Sequence, residues 1–239
     1  MKNDETISYY DDFSGWYERE RGHGYHAMID KLELDVIRPL AAGKTVLEVG
    51  AGTGLILEGL GDVPSKKTGV DISAGMLAKA RARGLDVIQG SATDLPFEDG
   101  TFDLAFSFKV LAHVPDIRKA LSEMARVLRP GGYLAAEFYN SRSIRRLAKR
   151  LGGPGHISEN RTEAEVFTRW DTPEEILGYL PDSVTFEGWR GVRVVTPAAA
   201  AFKLPLAGKV LPVIEKLALT SRAAKYGGFL IAVCRKNPR

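Results

Sequence analysis

The stretch Thr45-Val-Leu-Glu-Val-Gly-Ala-Gly-Thr-Gly54 constrains this chain more than any other. Val46, Leu47 and Val49 form an apolar, β-branched run that reads as a buried strand. It ends in three alternating glycines, Gly50, Gly52 and Gly54, followed by the helical pattern Leu55 to Leu60. A strand–glycine turn–helix of this kind lets bare backbone approach a ligand, because glycine has no Cβ to obstruct it. The spacing G-x-G-x-G departs from the G-x-G-x-x-G of a dinucleotide pyrophosphate site. Glu48, inside the motif, would repel a pyrophosphate and suits a ligand that carries positive charge.

The following segments repeat the strand–helix alternation that argues for a parallel sheet. Lys67 to Asp71 is a second short strand ending in an acid, where a doubly wound fold sets a carboxylate against ribose hydroxyls. Ser73 is the expected N-cap of a helix to Arg83, with Met76, Leu77 and Ala80 inward. Strands are expected at Asp86–Gln89 and Phe102–Phe108. A helix is expected from Ile117 to Leu128, stopped by Arg129-Pro-Gly-Gly132, and then a strand at Tyr133–Phe138.

Over residues 40–140 these segments, in this order, resemble a class I S-adenosylmethionine (SAM)-dependent methyltransferase. The similar group includes ubiquinone and menaquinone C-methyltransferases and many small-molecule methyltransferases. SAM, with an ammonium and a sulfonium, meets the charge requirement set by Glu48. The resemblance implies a Rossmann-like doubly wound α/β sheet of seven strands with helices on both faces. It further implies an N-terminal helical cap over residues 1–40, a SAM-binding core over 41–140, and substrate-side additions at 141–182 and 196–228, after strands five and six. It assigns Glu48, Gly50 and Gly52 to the methionine part of SAM, Asp71 to the ribose and Ile72 to the adenine. Ser91 stands where the family commonly has an acid facing the adenine amino group, so that contact is discounted and the backbone of Ala92 is the alternative. Phe108 and Lys109 match the segment that passes the methionine moiety, and Tyr17 matches a tyrosine that folds over the cofactor.

Substrate choice is expected in the additions. Residues 7–17 are dense in aromatics, and Ala27–Leu40 reads as an amphipathic helix with Ile29, Leu32, Val36 and Ile37 inward. His23, Tyr25 and His26 read as a loop around Gly22 and Gly24. Ser141–Leu151 reads as a short basic helix whose cations are either solvated surface or a contact for an anionic substrate or membrane. Thr172-Pro-Glu-Glu175 has the form of a capping box. Between strand six (Thr185–Val195) and strand seven (Phe229–Arg235), Pro197, Pro205 and Pro212 are expected to break an apolar insertion into short helices packed as an extension.

The expected activity is methyl transfer from SAM to a small-molecule acceptor, apolar or aromatic, with O- or N-methylation favoured over C-methylation. The alternatives are a lipid or quinone C-methyltransferase and a non-catalytic SAM-binding protein. His113 is the candidate general base and Lys109 the candidate for an acceptor's anionic group. A formal net charge of +3 supplies no strong global attraction to nucleic acid. The single cysteine, Cys234, excludes an internal disulfide and a Cys-rich metal site, and no metal is expected. The chain opens with no signal-peptide pattern and contains no apolar run long enough to span a bilayer, so a cytoplasmic protein is expected. Peripheral membrane contact is a disfavoured alternative, and the sequence carries no signal of oligomeric state.

Overall fold

The computed structural model describes residues 24–152, 156–158, 161–162, 167–204 and 206–238. Tyr17, His23 and the aromatic run before them lie outside these residues. Helix α1 (Gly24–Ala41) precedes β1 (Thr45–Val49), α2 (Leu55–Gly59), β2 (Lys66–Asp71), α3 (Ala74–Ala82), β3 (Val87–Gln89) and β4 (Phe102–Ser107). Then follow α4 (Ile117–Arg126), β5 (Leu128–Tyr139), α5 (Ile144–Gly152), and the short pair β6 (His156–Ser158) and β7 (Arg161–Thr162). Helix α6 (Pro173–Tyr179), β8 (Val184–Val192), α7 (Ala207–Ala218) and β9 (Phe229–Lys236) complete the order. The main sheet runs β3-β2-β1-β4-β5-β9-β8. Its first five strands are parallel, while β9 runs antiparallel to both β5 and β8.

Side chains alternate across each strand, so each strand feeds two apolar layers. Val46, Leu104, Phe106, Ile231 and Val233 face α1, α2 and α3. Leu47, Val49, Ala105, Leu230, Ala232 and Cys234 face α4 and α6. Helix α1 presents Met28, Ile29, Leu32, Val36 and Ile37 to the first layer, as its periodicity predicts. Ser73 accepts from the Met76 amide, and Thr172 and Glu175 form the reciprocal capping box.

Several local expectations are corrected. Tyr25 and His26 belong to α1, which starts at Gly24, and are not loop residues. Helix α4 ends at Arg126, and β5 starts at Leu128 because Val127 and Leu128 are drawn into the core and Leu128 pairs with Phe102. The Arg129–Gly132 segment is absorbed as an irregularity within β5, with Gly131 at φ 76°. Strand β8 stops at Val192, since the amides of Val194, Val195 and Thr196 turn away to the Glu215 carboxylate. Pro212 does not break α7: the helix runs through it, anchored one turn later by Glu215. Nor is the insertion packed throughout, because Val210, Val213, Ile214 and Leu217 of α7 are exposed.

Candidate active site

The glycine loop sits at the carboxyl end of β1. Gly50, Gly52 and Gly54 have φ of 79°, 55° and 83°, left-handed values that L side chains resist. A Cβ on Gly50 would stand 2.2 Å from Val110 Cγ2, whereas one on Gly52 would meet nothing within 4 Å. The loop is therefore tight on its protein side and open at Gly52, where a ligand's approach needs bare backbone. Asp71, ending β2, accepts the Gly52 amide on Oδ2 (2.8 Å) and the Ser73 amide on Oδ1 (2.9 Å). One carboxylate thus ties the loop to the start of α3.

Glu48 is buried in β1 and its Oε2 has no hydrogen-bond partner in the protein. Burial, and then Glu33, push its carboxyl well above the usual range, against the opposing pull of Lys109. A buried acid with an open oxygen beside an open glycine loop fits the ammonium of SAM, which would restore its ionised form. Ile72, partly buried, follows Asp71, and its carbonyl accepts from Gln89 Nε2 (3.0 Å). Ser91 turns its hydroxyl into its own turn, within 2.9 Å of Thr93 Oγ1 and accepting the Thr93 amide. Ala92 is partly buried beside it. Phe108 packs on Phe106 with ring centroids 5.2 Å apart.

Lys109 occupies a left-handed φ of 62° just after β4. Its amide donates to Glu137 Oε1 (2.9 Å), and its ammonium lies 2.9 Å from Asp30 and 2.7 Å from Glu33, both on α1. The cation considered for an acceptor's anionic group is thus engaged by two carboxylates. Glu137 Oε2 is buried without a partner, and burial followed by Glu33 holds this carboxyl well above its usual range. Sequence reasoning missed Asp30, Glu33 and Glu137. The signal for Glu33 was an acid set within the apolar stripe Ile29–Leu32–Val36–Ile37, where it is fully buried.

His113 closes the helical turn Leu111–His113 after β4. Its Nδ1 lies 2.9 Å from the Phe167 carbonyl, which can only accept, so the proton resides on Nδ1. Nε2 then carries the lone pair and faces the Tyr139 hydroxyl at 3.5 Å. Burial raises the pKa of that hydroxyl. Arg145 of α5 lies against the same tyrosine. Its guanidinium carbon is 4.2 Å from the centroids of Tyr139 and Phe229 and 4.8 Å from that of Trp170. Arg145 is 6% exposed, its Nε has no partner, and its one polar contact to the backbone is 3.4 Å, to the Gly228 carbonyl. Among the described residues no carboxylate forms an ion pair with it. Tyr139 ends β5, which runs parallel to β4 and β1, and pairs with Phe229, so the cluster stands at the same carboxyl end of the sheet as the glycine loop. Of the three rings only Phe229 figures in the sequence analysis, as the start of strand seven; Tyr139 and Trp170 carry no signal there.

The doubly wound sheet and the open glycine loop beside a buried acid define a cofactor-binding α/β enzyme, and comparison with known proteins narrows the class. A family profile described as a methyltransferase domain matches residues 47–136. The demethylmenaquinone methyltransferase of Mycolicibacterium paratuberculosis is 34% identical over 173 residues, 64% of this chain and 71% of that protein. That of Renibacterium salmoninarum is 37% identical over 141 residues, 56% of this chain and 59% of that protein. A solved SAM-dependent methyltransferase from Thermotoga maritima, described as a possible histamine N-methyltransferase, shares the fold with a TM-score of 0.68. At 22% identity the match covers 95% of this chain and 98% of that one. The chain belongs to the class I SAM-dependent methyltransferases. Among the described residues no helix is long and apolar enough to cross a membrane.

Proposed function

We propose that this methyltransferase acts on a hydroxylated aromatic small molecule whose oxygen is received between His113, Tyr139 and Arg145. The observation that carries this reading is Arg145, a buried guanidinium stacked on three rings with no carboxylate partner among the described residues. A guanidinium so placed favours an oxyanion, and the surrounding rings favour a flat apolar body. In this reading Glu48, Gly50, Gly52 and Phe108 hold the methionine part of the cofactor. Asp71 holds the ribose, and Ile72 and Ala92 the adenine. SAM supplies a methyl group on a positively charged sulfur. His113 Nε2, made the basic nitrogen by the Nδ1–Phe167 bond, takes the acceptor's proton directly or through Tyr139. Lys109 fixes α1 over the site and does not bind the acceptor.

A deprotonated phenol or quinol accepts methyl at oxygen or at an adjacent ring carbon. O-methylation fits the oxyanion held at Arg145. Ring-carbon methylation is the second reading, favoured by the demethylmenaquinone methyltransferases to which the chain is similar. SAM with a carbon-13 methyl group, presented with phenols, catechols, hydroxynaphthoates and demethylmenaquinol analogues, tests both. A methoxy signal supports the first and an aryl-methyl signal the second. Replacing His113 by Ala or Arg145 by Met should lower kcat/KM by about 100-fold or more while leaving SAM affinity unchanged. Turnover confined to aliphatic amines, or full activity in both variants, refutes the proposal.

A further inference from the structure

Helix α7 is built inside out. Its one acid, Glu215, is fully buried and accepts the amides of Val194 (2.7 Å), Val195 (3.1 Å) and Thr196 (2.8 Å) and the Thr196 hydroxyl (2.6 Å). At about 100° per residue, Leu206, Val210, Val213, Ile214 and Leu217 form a stripe on the opposite side. These side chains are 71%, 50%, 60%, 41% and 74% exposed, and Leu204, just before the helix, is 64% exposed. An ordinary surface helix does the reverse, since water favours the carboxylate and the core favours the valines. Six large apolar residues held in water beside a deliberately buried acid mark a face that meets an apolar medium.

The charges around the stripe state which medium. Lys209 and Lys216 lie along one border, where Lys216 is 3.8 Å from Asp35 of α1, and Arg222 and Lys225 follow in the exposed helical turn after α7. From Leu204 to Tyr226 the only acid is Glu215, which is buried, so the exposed charges here are all positive. The stripe is also small. Twelve residues of helix span about 18 Å, and a helix is about 10 Å wide. A short apolar stripe with a basic border matches the requirements of interfacial binding, in which the apolar face enters the acyl boundary and lysines meet anionic headgroups.

We infer that α7 docks this enzyme reversibly on anionic lipid surfaces, with Leu206, Val210, Val213 and Leu217 entering the bilayer interface. The inference goes beyond the acceptor reading and holds whichever acceptor is methylated. Between α7 and α1 lies a cavity of about 290 Å³, lined by Met28, Leu32, Phe202 and Pro212 among others. Lys31, Asp35 and Lys216 also line it, so the docked face adjoins a mixed recess with an apolar floor rather than a solid wall.

The test is flotation of the full chain with vesicles of phosphatidylcholine alone and of an equimolar mixture with phosphatidylglycerol, across a salt series. The expected result is recovery with the anionic vesicles, weakened by salt, and at least tenfold weaker binding to the neutral ones. Val213→Ser/Leu217→Ser, at exposed positions, should lose at least tenfold in binding to anionic vesicles. Lys209→Glu/Arg222→Glu should lose the salt-sensitive part. SAM affinity by calorimetry, unchanged in both variants, reports that the fold is intact. Failure of the wild type to float with anionic vesicles overturns the inference, as does undiminished binding by both variants. A concentration-dependent dimer of the wild type that Val213→Ser/Leu217→Ser dissociates, with no vesicle binding, assigns the face to a second copy of the chain and also overturns it.

Discussion

Alanine at Gly50 and at Gly52 should separate folding from cofactor binding. Both positions have left-handed backbone, so each substitution carries a conformational cost of about 1–2 kcal/mol. At Gly52 that is the whole cost to the fold, because the added methyl meets no protein atom within 4 Å. The Gly52 amide, bonded to Asp71, is retained. At Gly50 the new Cβ would stand 2.2, 2.8 and 2.9 Å from Val110 Cγ2, Cγ1 and Cβ. Rotating the valine moves its methyls but not its Cβ, so backbone must shift, an overpacking cost of about 1–3 kcal/mol more. Gly50→Ala should therefore lose roughly 2–5 kcal/mol, a large share of the ~5–15 kcal/mol that holds a typical protein together. SAM affinity should show the opposite order of interest. In the folded Gly52→Ala protein the methyl occupies the ligand's path, and Kd should rise at least tenfold, about 1.4 kcal/mol. Urea unfolding measures the first quantity and calorimetric titration with SAM the second. Equal destabilisation of the two variants, or wild-type SAM affinity in a folded Gly52→Ala protein, would refute the assignment of this loop as the cofactor cradle.

Two further outcomes follow from acids, one buried and one partly exposed. Glu215→Ala strips the acceptor from the buried amides of Val194 and Thr196 and from the Thr196 hydroxyl, at roughly 1–3 kcal/mol for each donor left unsatisfied. A total loss of about 3–5 kcal/mol in urea unfolding is expected, with new proteolytic cleavage between residues 196 and 228, and a loss under about 0.5 kcal/mol would show that the carboxylate is not what anchors α7. Glu123 is held below the usual carboxylate range by Arg126 first, against desolvation and with the Leu95 amide assisting. Because its native pKa is depressed, its contribution is present above the unfolded value of about 4.3 and is lost as pH falls through the lower native value. Glu123→Gln should thus cost about 1 kcal/mol near neutrality and progressively less in acid; a stability difference that is constant from about pH 7 to about pH 3 would contradict this.

Much of the fold is legible in single residues and their spacing. Ser73 caps α3 and Thr172–Glu175 box α6 because these bonds close within three residues. The residues proposed for the cofactor are legible from the order and spacing of strand, glycines and following acid, although the Gly52–Asp71 bond spans 19 residues and closes only once β1 and β2 pair. The acceptor half is not. His113 was visible as a candidate, but Tyr139 beside it falls just past the strand expected at Tyr133–Phe138 and carries no signal of its own. Arg145 reads as one cation among several on a basic helix, although it is buried and its neighbours Arg142 and Arg146 are not.

The same division runs through the rest of the molecule. Strand periodicity, helix caps and left-handed glycines follow from sterics and hydrogen bonds between near neighbours, and these act in any chain with these residues. The choice of Asp30 and Glu33 as partners for Lys109, more than seventy residues apart, exists only once α1 lies across the sheet. So does the raised pKa of Glu48 and Glu137, which sums desolvation and charge from elements distant in sequence. The apolar stripe of α7 makes the point most directly. Its hydrophobic residues predict a buried face, and the outcome reverses where the Glu215 carboxylate, on the other side of the helix, turns inward to accept the amides of Val194 and Thr196. A hydrogen-bond debt left by the end of β8 outweighs the burial of valines and leucines, and no count of residues along α7 contains that term.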